Sequence, residues 1–307
     1  MAAVIDVKHL HKRYGDLVAV TDVSFQVDQG EIFGILGPNG AGKTTTVECI
    51  QGLREPTGGE IRLFGIDAIR DRNQLRRRIG SQLQESALPD RIKVWEVLDL
   101  FSSFQSGGAD WRRLMEQWGL AEKANASFAS LSGGQRQRLF VALALVNNPD
   151  VVFLDELTQG LDPSARRVAW DLIRGIRDRG TTVVLVTHYM DEAEHLCDRL
   201  IVVNRGEVIA EGTPQELIAR STRGIQVRFS TTEPDLSSLS ELADVRHVER
   251  VGSHVEVEGS GAVLALVAAS LVNHGIVPSD LRAIQPSLEE IYLDLIQTGP
   301  DARKEVA

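Results

Sequence analysis

The run Gly37-Pro38-Asn39-Gly40-Ala41-Gly42-Lys43-Thr44-Thr45 follows the apolar segment Ile32-Phe33-Gly34-Ile35-Leu36 and precedes a helix-like stretch from Thr45 to Leu53. A buried strand, a glycine-rich turn ending in Lys-Thr, and a helix form the setting in which a G-x-x-x-x-G-K-[ST] pattern binds phosphate. The glycines let successive backbone N–H groups converge on anionic oxygens. The helix start adds unpaired donors and a positive dipole end. Lys43 brings a point charge for β- and γ-phosphates, and the Thr44 hydroxyl can hold Mg²⁺. A plain surface turn would need neither the Lys-Thr pair nor the buried strand before it.

Asp155-Glu156 closes another apolar run, Val151-Val152-Phe153-Leu154, of the kind a parallel sheet covered on both faces requires. In open α/β sheets, ligands collect at the carboxyl ends of strands. Two adjacent carboxylates there can divide labour. Asp155 can hold Mg²⁺ through water, while Glu156 orients and deprotonates an attacking water. The competing reading is a helix cap or a salt-bridged pair. The alternation of strands with helices, including Pro163–Arg179 and then Thr181–Thr187, indicates an α/β fold with a mainly parallel sheet.

Other parts of the chain add to this. Val4–Val7, Val23–Val27 and Glu60–Phe64 read as strands, and residues 86–148 as a mostly helical region carrying Trp95, Trp111 and Trp118. The character changes near Arg220, where a domain boundary is expected: 1–220 for the nucleotide-binding part and 221–307 for a small α+β domain. The latter reads as Ile225–Phe229, helix Leu236–Leu242, Val245–Val251, His254–Val257, helix Ala262–His274 and Leu281–Ile284, a ferredoxin-like βαββαβ order. An amphipathic helix, Ser287–Ile296, follows.

Among 307 residues, 33 Lys and Arg face 43 Asp and Glu, a net charge of −10, which argues against wide nucleic-acid binding. No apolar run reaches the roughly 18 residues of a membrane span, and the N-terminus carries no secretion signal. Cys49 and Cys197, two thiols far apart in sequence, suit a reducing cytoplasm better than a disulfide framework. Arg76-Arg77-Arg78 reads as a solvated helix face.

A second phosphate element stands at Leu131-Ser132-Gly133-Gly134-Gln135, ahead of a helical pattern from Arg136 to Val146. By itself it would be a flexible N-cap; in a chain with a phosphate loop it becomes informative. With that pair of motifs, residues 4–220 resemble the nucleotide-binding subunit of an ATP-binding cassette (ABC) transporter. The resemblance implies binding and hydrolysis of ATP with Mg²⁺ in a head-to-tail dimer. There Ser132, Gly133, Gly134 and Gln135 of one copy close over the nucleotide held by Lys43 of the other.

It also implies roles for four further positions. Tyr14 matches an aromatic stacked on adenine, although it could be a partly buried core residue. Gln84 matches the glutamine that meets Mg²⁺ and the attacking water, with Gln82 the competing choice. Asp162 matches the aspartate at the dimer seam and could equally cap the helix that begins at Pro163. His188 matches the histidine that bonds the γ-phosphate. One departure is clear: where the family usually has Pro after its catalytic Glu, this chain has Leu157-Thr158-Gln159, which removes a fixed φ from the loop.

The domain order and the segment Gln285-Pro286-Ser287-Leu288-Glu289-Glu290-Ile291-Tyr292 resemble daunorubicin-resistance-type exporter ATPases. That resemblance implies a peripheral protein on the cytoplasmic membrane face, paired with a second copy and with a separate multi-spanning ABC-2 subunit. The cargo would be drug, lipid or polysaccharide. Two alternatives remain: a soluble ABC ATPase acting on ribosomes or DNA, and a regulatory module that binds nucleotide without turnover.

Overall fold

Apolar runs too short to be helices and buried on both faces organise the first part of the chain into a sheet. The computed structural model describes residues 3–82, 87–104, 110–219 and 224–298, with side chains in the last helix described to residue 294. The chain divides into two compact units, one up to Pro214 and the other from Gln215 to Thr298. The break lies a few residues ahead of Arg220, so helix Pro214–Ala219 belongs almost wholly to the second unit. Arg220 itself lies outside the described residues.

The first unit contains strands β1 (Ala3–Tyr14), β2 (Leu17–Asp28), β3 (Ile32–Leu36), β4 (Gly58–Leu63), β5 (Ile66–Asp67), β6 (Ile79–Gln82), β7 (Val151–Asp155), β8 (Thr182–Thr187), β9 (Arg199–Asn204) and β10 (Glu207–Gly212). They form one sheet in the order β5-β4-β1-β2-β10-β9-β3-β8-β7-β6. From β9 to β6 the neighbours run parallel. Strands β1, β2, β4 and β5 form an antiparallel arm, and β10 joins the two parts by pairing with β9 and, in parallel, with β2. Every residue of β3, β7 and β8 is buried, which is why they read as unbroken apolar runs.

The arm is longer than its apolar residues suggest. β1 continues beyond Val7 to Tyr14 through Lys8, His9, His11, Lys12 and Arg13. Register shifts at Val7/Leu10 and Leu10/Lys12 break the alternation that would have revealed it. Beneath the sheet, Ile5, Val7, Leu10, Phe25, Phe33, Ile35, Val47, Ile50 and Phe153 share one core. Phe25 stacks on Phe33 with ring centroids 5.3 Å apart. Full burial of side chains of this size stabilises by about 1.5–3 kcal/mol each.

Within residues 86–148 the described helices are Val94–Ser102, Trp111–Gln117 and Gly133–Leu145, joined by short 3₁₀ turns. The last begins at Gly133, earlier than the pattern from Arg136 suggests. Its N-cap Ser132 accepts from Gln135 N while the Gln135 side chain accepts from Ser132 N, a closed capping box. Helix Pro163–Asp178 is capped by Asp162, opens on Pro163, and turns Ala169, Trp170, Ile173 and Ile176 inward.

The second unit contains β11 (Ile225–Ser230), helix Ser237–Ser240, β12 (Val245–Val251), β13 (His254–Gly259), helix Val263–Asn273, β14 (Arg282–Ile284) and helix Leu288–Thr298. Its strands lie in the order β12-β13-β11-β14, every pair antiparallel, which is the ferredoxin-like arrangement. Val227, Phe229, Val255 and Val257 face Leu239, Val263, Val267 and Leu271 of the covering helices.

Candidate active site

Strand β3 delivers the phosphate loop. Two glycines hold it against its neighbours. A Cβ on Gly37 would stand 2.3 Å from the carbonyl oxygen of Val203, and one on Gly42 would stand 2.4 Å from that of Ala19. Gly42 also has φ +99°, a left-handed conformation, as the N-cap of helix Lys43–Ile50. Ala41 closes the turn by donating to the Pro38 carbonyl at 3.1 Å. Asn39 and Gly40 are exposed at the loop tip, and Thr45 is half-buried in the first helical turn.

Lys43 is buried and folds back over its own loop, with Nζ donating to the carbonyls of Gly37 at 2.8 Å and Pro38 at 3.1 Å. Burial lowers its pKa, and the carboxylates of Glu156 and Asp155 oppose that. Thr44 Oγ1 donates to Asp155 Oδ2 at 3.3 Å. The other oxygen, Asp155 Oδ1, is buried without a partner among the described residues. Burial, reinforced by Glu156, pushes the Asp155 carboxyl up to about 6, against the pull of Thr44 and Lys43. An orphaned carboxylate oxygen beside a threonine hydroxyl is a donor set suited to a hard oxygen-seeking cation.

Glu156 follows at the end of β7, buried, with φ +50°. Its backbone N–H donates to Val186 O at 2.9 Å, anchoring the loop to β8. That strand carries His188 at its far end, and the ring Nδ1 lies 3.1 Å from Glu156 Oε1. Lys43, Thr44, Asp155, Glu156 and His188 therefore gather at the carboxyl ends of adjacent parallel strands.

The other candidates stand apart from that cluster. Tyr14 ends β1, 37 % exposed, with Lys12 Nζ 4.8 Å and the Arg54 guanidinium 5.6 Å from its ring centroid. Its exposure leaves the stacking expectation open and argues against a core role. Ser132, Gly133, Gly134 and Gln135 form the helix start already described. Asp162 is exposed and acts as an N-cap, with Oδ1 accepting from the backbone of Ser164 at 2.9 Å and of Ala165 at 3.0 Å, which holds its pKa down. Gln84 lies outside the described residues, whereas Gln82 is buried at the end of β6 beside Leu154.

Leu157, where the related pattern has Pro, is buried in the wall of an apolar cavity of 170 Å³ shared with Trp118, Val141, Leu161 and Val168. Packing thus constrains the loop where the ring of a proline would otherwise do so. Sequence reading passed over Glu192, which is fully buried two residues after Met190. Its position four residues before the buried Leu196 puts it on the inward face of helix Met190–Leu196, and that spacing was the available signal.

Comparison with known proteins agrees with this geometry. The ABC transporter family matches residues 20–159. The chain is 38% identical to the daunorubicin resistance ATP-binding protein DrrA3 of Streptomyces coeruleorubidus, over 99% of this chain and 98% of that protein. It is 42% identical to the Nod factor export ATP-binding protein I of Burkholderia orbicola, over 84% of each. A solved ATP-binding cassette, a dimer in a post-hydrolysis state with ADP and phosphate bound, superposes with a TM-score of 0.62 at 30% identity, covering 68% of this chain and 98% of that one. A phosphate loop at the end of β3, a carboxylate pair at the end of β7 and relatives matched along nearly their whole length make this chain a member of the ABC transporter family, an ATP-binding ABC ATPase.

Proposed function

We propose that this protein hydrolyses ATP to drive an ABC-2-type exporter. Two copies would clamp together beneath a separate multi-spanning membrane subunit, on the cytoplasmic face. The observation that carries the proposal is the Glu156–His188 contact of 3.1 Å beside the Lys43–Thr44–Asp155 cluster. The names of the relatives support the export direction, since one serves Nod factor export and another daunorubicin resistance. No helix among the described residues is long and apolar enough to cross a membrane, so a separate translocating subunit fits.

The residues suggest the following chemistry. The backbone N–H groups of Gly40, Ala41, Gly42 and Lys43 would surround the phosphates, with Pro38 and Asn39 shaping the loop tip and Thr45 extending the helix start. Lys43 Nζ would exchange its two carbonyl partners for phosphate oxygens, which form stronger charge-assisted bonds. Thr44 and Asp155 fit Mg²⁺, and Gln84 would join them. When bound, Mg²⁺ would neutralise charge on the β- and γ-phosphates.

Glu156 would accept the proton of the attacking water. His188, held through Nδ1 by Glu156, would turn Nε2 toward the γ-phosphate. Tyr14 would stack on adenine. Ser132, Gly133, Gly134 and Gln135 of the partner copy would complete the site, with Asp162 at the seam. Hydrolysis then removes the shared anion and releases the clamp. The segment after Gln84 and the helices of residues 86–148 would meet the membrane subunit.

ATP turnover by the full chain tests this reading. Glu156→Gln is expected to lower kcat by about 10²–10⁴, and to sediment as a dimer with Mg²⁺ and ATP. Turnover equal to wild type would remove Glu156 from the mechanism. A monomer at saturating nucleotide would end the clamp.

A further inference from the structure

Glu156 Oε1, 3.1 Å from Nδ1, holds one corner of the His188 ring. A single hydrogen bond fixes one ring atom and leaves the plane of an imidazole free to tilt about it. The ring has a second neighbour. Tyr189 packs against it with centroids 4.2 Å apart and planes at 37°. Adjacent side chains on a strand point to opposite faces. These two meet because β8 ends at Thr187 and the chain bends at His188. Tyr189 N donates to Thr187 Oγ1 at 3.0 Å, which secures the bend.

Tyr189 is braced in turn. The Arg166 guanidinium covers its ring, with Cζ 4.4 Å from the centroid. A cation over an aromatic face is attracted by the ring quadrupole, more so where water is partly excluded, and the Arg166 side chain is only 20% exposed. Arg166 comes from a different element, helix Pro163–Asp178, where its N–H donates to the carbonyl of the capping Asp162 at 2.9 Å. Its Nη1 donates to Asp191 Oδ2 at 3.2 Å, and Asp191 Oδ1 accepts from Glu192 N at 2.9 Å, so the guanidinium is also pinned to the helix that follows Tyr189. Arg166 Nε is buried without a hydrogen-bond partner among the described residues. That unmade donor costs stability, and it marks a guanidinium placed to cover the ring rather than to satisfy all its N–H groups.

We propose that Tyr189 and Arg166 are positioning residues, two successive planar groups that set the tilt of the His188 ring and so the direction of its Nε2. The inference rests on the reading of His188 as the partner of the γ-phosphate. With Nδ1 committed to Glu156, the tilt of the ring decides where Nε2 points. Neither Tyr189 nor Arg166 belongs to the loop that would hold the phosphates, so their loss reaches the chemical step and spares nucleotide binding.

The test is steady-state ATP turnover and nucleotide affinity of the full chain for wild type, Tyr189→Phe, Tyr189→Leu, Arg166→Ala, the Tyr189→Leu/Arg166→Ala double variant and His188→Ala. Tyr189→Leu and Arg166→Ala are each expected to lower kcat by about 10-fold or more while KM stays within about 2-fold. Tyr189→Phe keeps the ring and holds turnover within about 2-fold of wild type. The double variant is no slower than the slower single, because Arg166 acts through Tyr189. The ring C–H resonances of His188, assigned by their loss in His188→Ala, shift in Arg166→Ala although the two residues belong to different elements. Ala suits a helix interior, so Arg166→Ala decides the matter even if Tyr189→Leu folds poorly. Near-wild-type kcat in Arg166→Ala beside an impaired His188→Ala overturns this inference alone, as do unmoved His188 resonances in that variant or single effects that multiply. Wild-type turnover in His188→Ala overturns the role of His188 and this inference with it.

Discussion

Asp155→Asn should stabilise the nucleotide-free protein at neutral pH and weaken its response to magnesium nucleotide. The Asp155 carboxyl moves from an ordinary 3.8 to about 6, chiefly through burial, which amounts to about 3 kcal/mol of preference for the protonated form. Because the folded value lies above the unfolded one, that preference favours the fold fully below about pH 4. It is lost as pH rises through about 6. Above that, the chain holds a buried carboxylate whose Oδ1 has no partner among the described residues. Asn keeps the shape and removes the charge, and its amide can still meet Thr44 Oγ1.

The variant should therefore gain about 1–3 kcal/mol at pH 7.5, a rise in Tm of about 3–10 °C for a unit of this size. Thermal unfolding of the full chain followed by circular dichroism, with a chelator present, reads this directly. The gap should close as the pH falls to 4. Adding Mg²⁺ and ADP should then stabilise wild type more than the variant. A variant no more stable than wild type at pH 7.5, or a gap that ignores pH, would refute the argument that burial of this charge is what the cation relieves.

Further outcomes follow from the same geometry. Gly42→Ala puts a Cβ 2.4 Å from the Ala19 carbonyl at φ +99°, and should cost about 1–3 kcal/mol and abolish binding of a fluorescent nucleotide. Lys43→Met removes a buried ammonium whose pKa burial has lowered, so unfolding of the empty protein should shift little or upward, while ATP affinity measured by titration calorimetry falls at least about 10-fold. Phe229→Ala opens a cavity in the second unit's core and should cost about 3–5 kcal/mol, seen as faster amide exchange across residues 225–284 with exchange in β3 and β8 unchanged.

How much of this was legible in the sequence depended on whether a signal was local. β7 and β8 were readable because a strand buried on both faces has to be apolar throughout. β9 carries the same mark in Leu200–Val203, but an apolar run alone does not say which sheet it joins, and only its pairing with β3 makes it part of the nucleotide sheet. The arm hid the reach of β1 behind exposed charges and bulges. At the site, the phosphate loop and Asp155-Glu156 could be read because strand ends dictate where such groups sit. The bond between Glu156 and His188 joins residues 32 apart, and no local pattern predicts it. Glu192 was hidden because a carboxylate in a first helical turn ordinarily serves the helix dipole in solvent, whereas this one turns inward onto Trp170.

The Ser132 and Asp162 motifs raise a different question, since each looks complete within one chain. Ser132 Oγ already accepts from Gln135 N, and Asp162 Oδ1 accepts from two backbone N–H groups. A local cap and an anion site do not exclude each other. A hydroxyl that accepts one bond keeps its own O–H to donate. A helix leaves its first N–H groups without intrahelical partners, and here those belong to Gly133 and Gly134, neither of which donates to a backbone carbonyl among the described residues. Two glycine N–H groups and a serine O–H at a positive helix end favour an anion from outside the helix. The cap holds that end in shape, and under the proposed clamp the phosphate of a nucleotide carried by another copy would be the anion those donors meet.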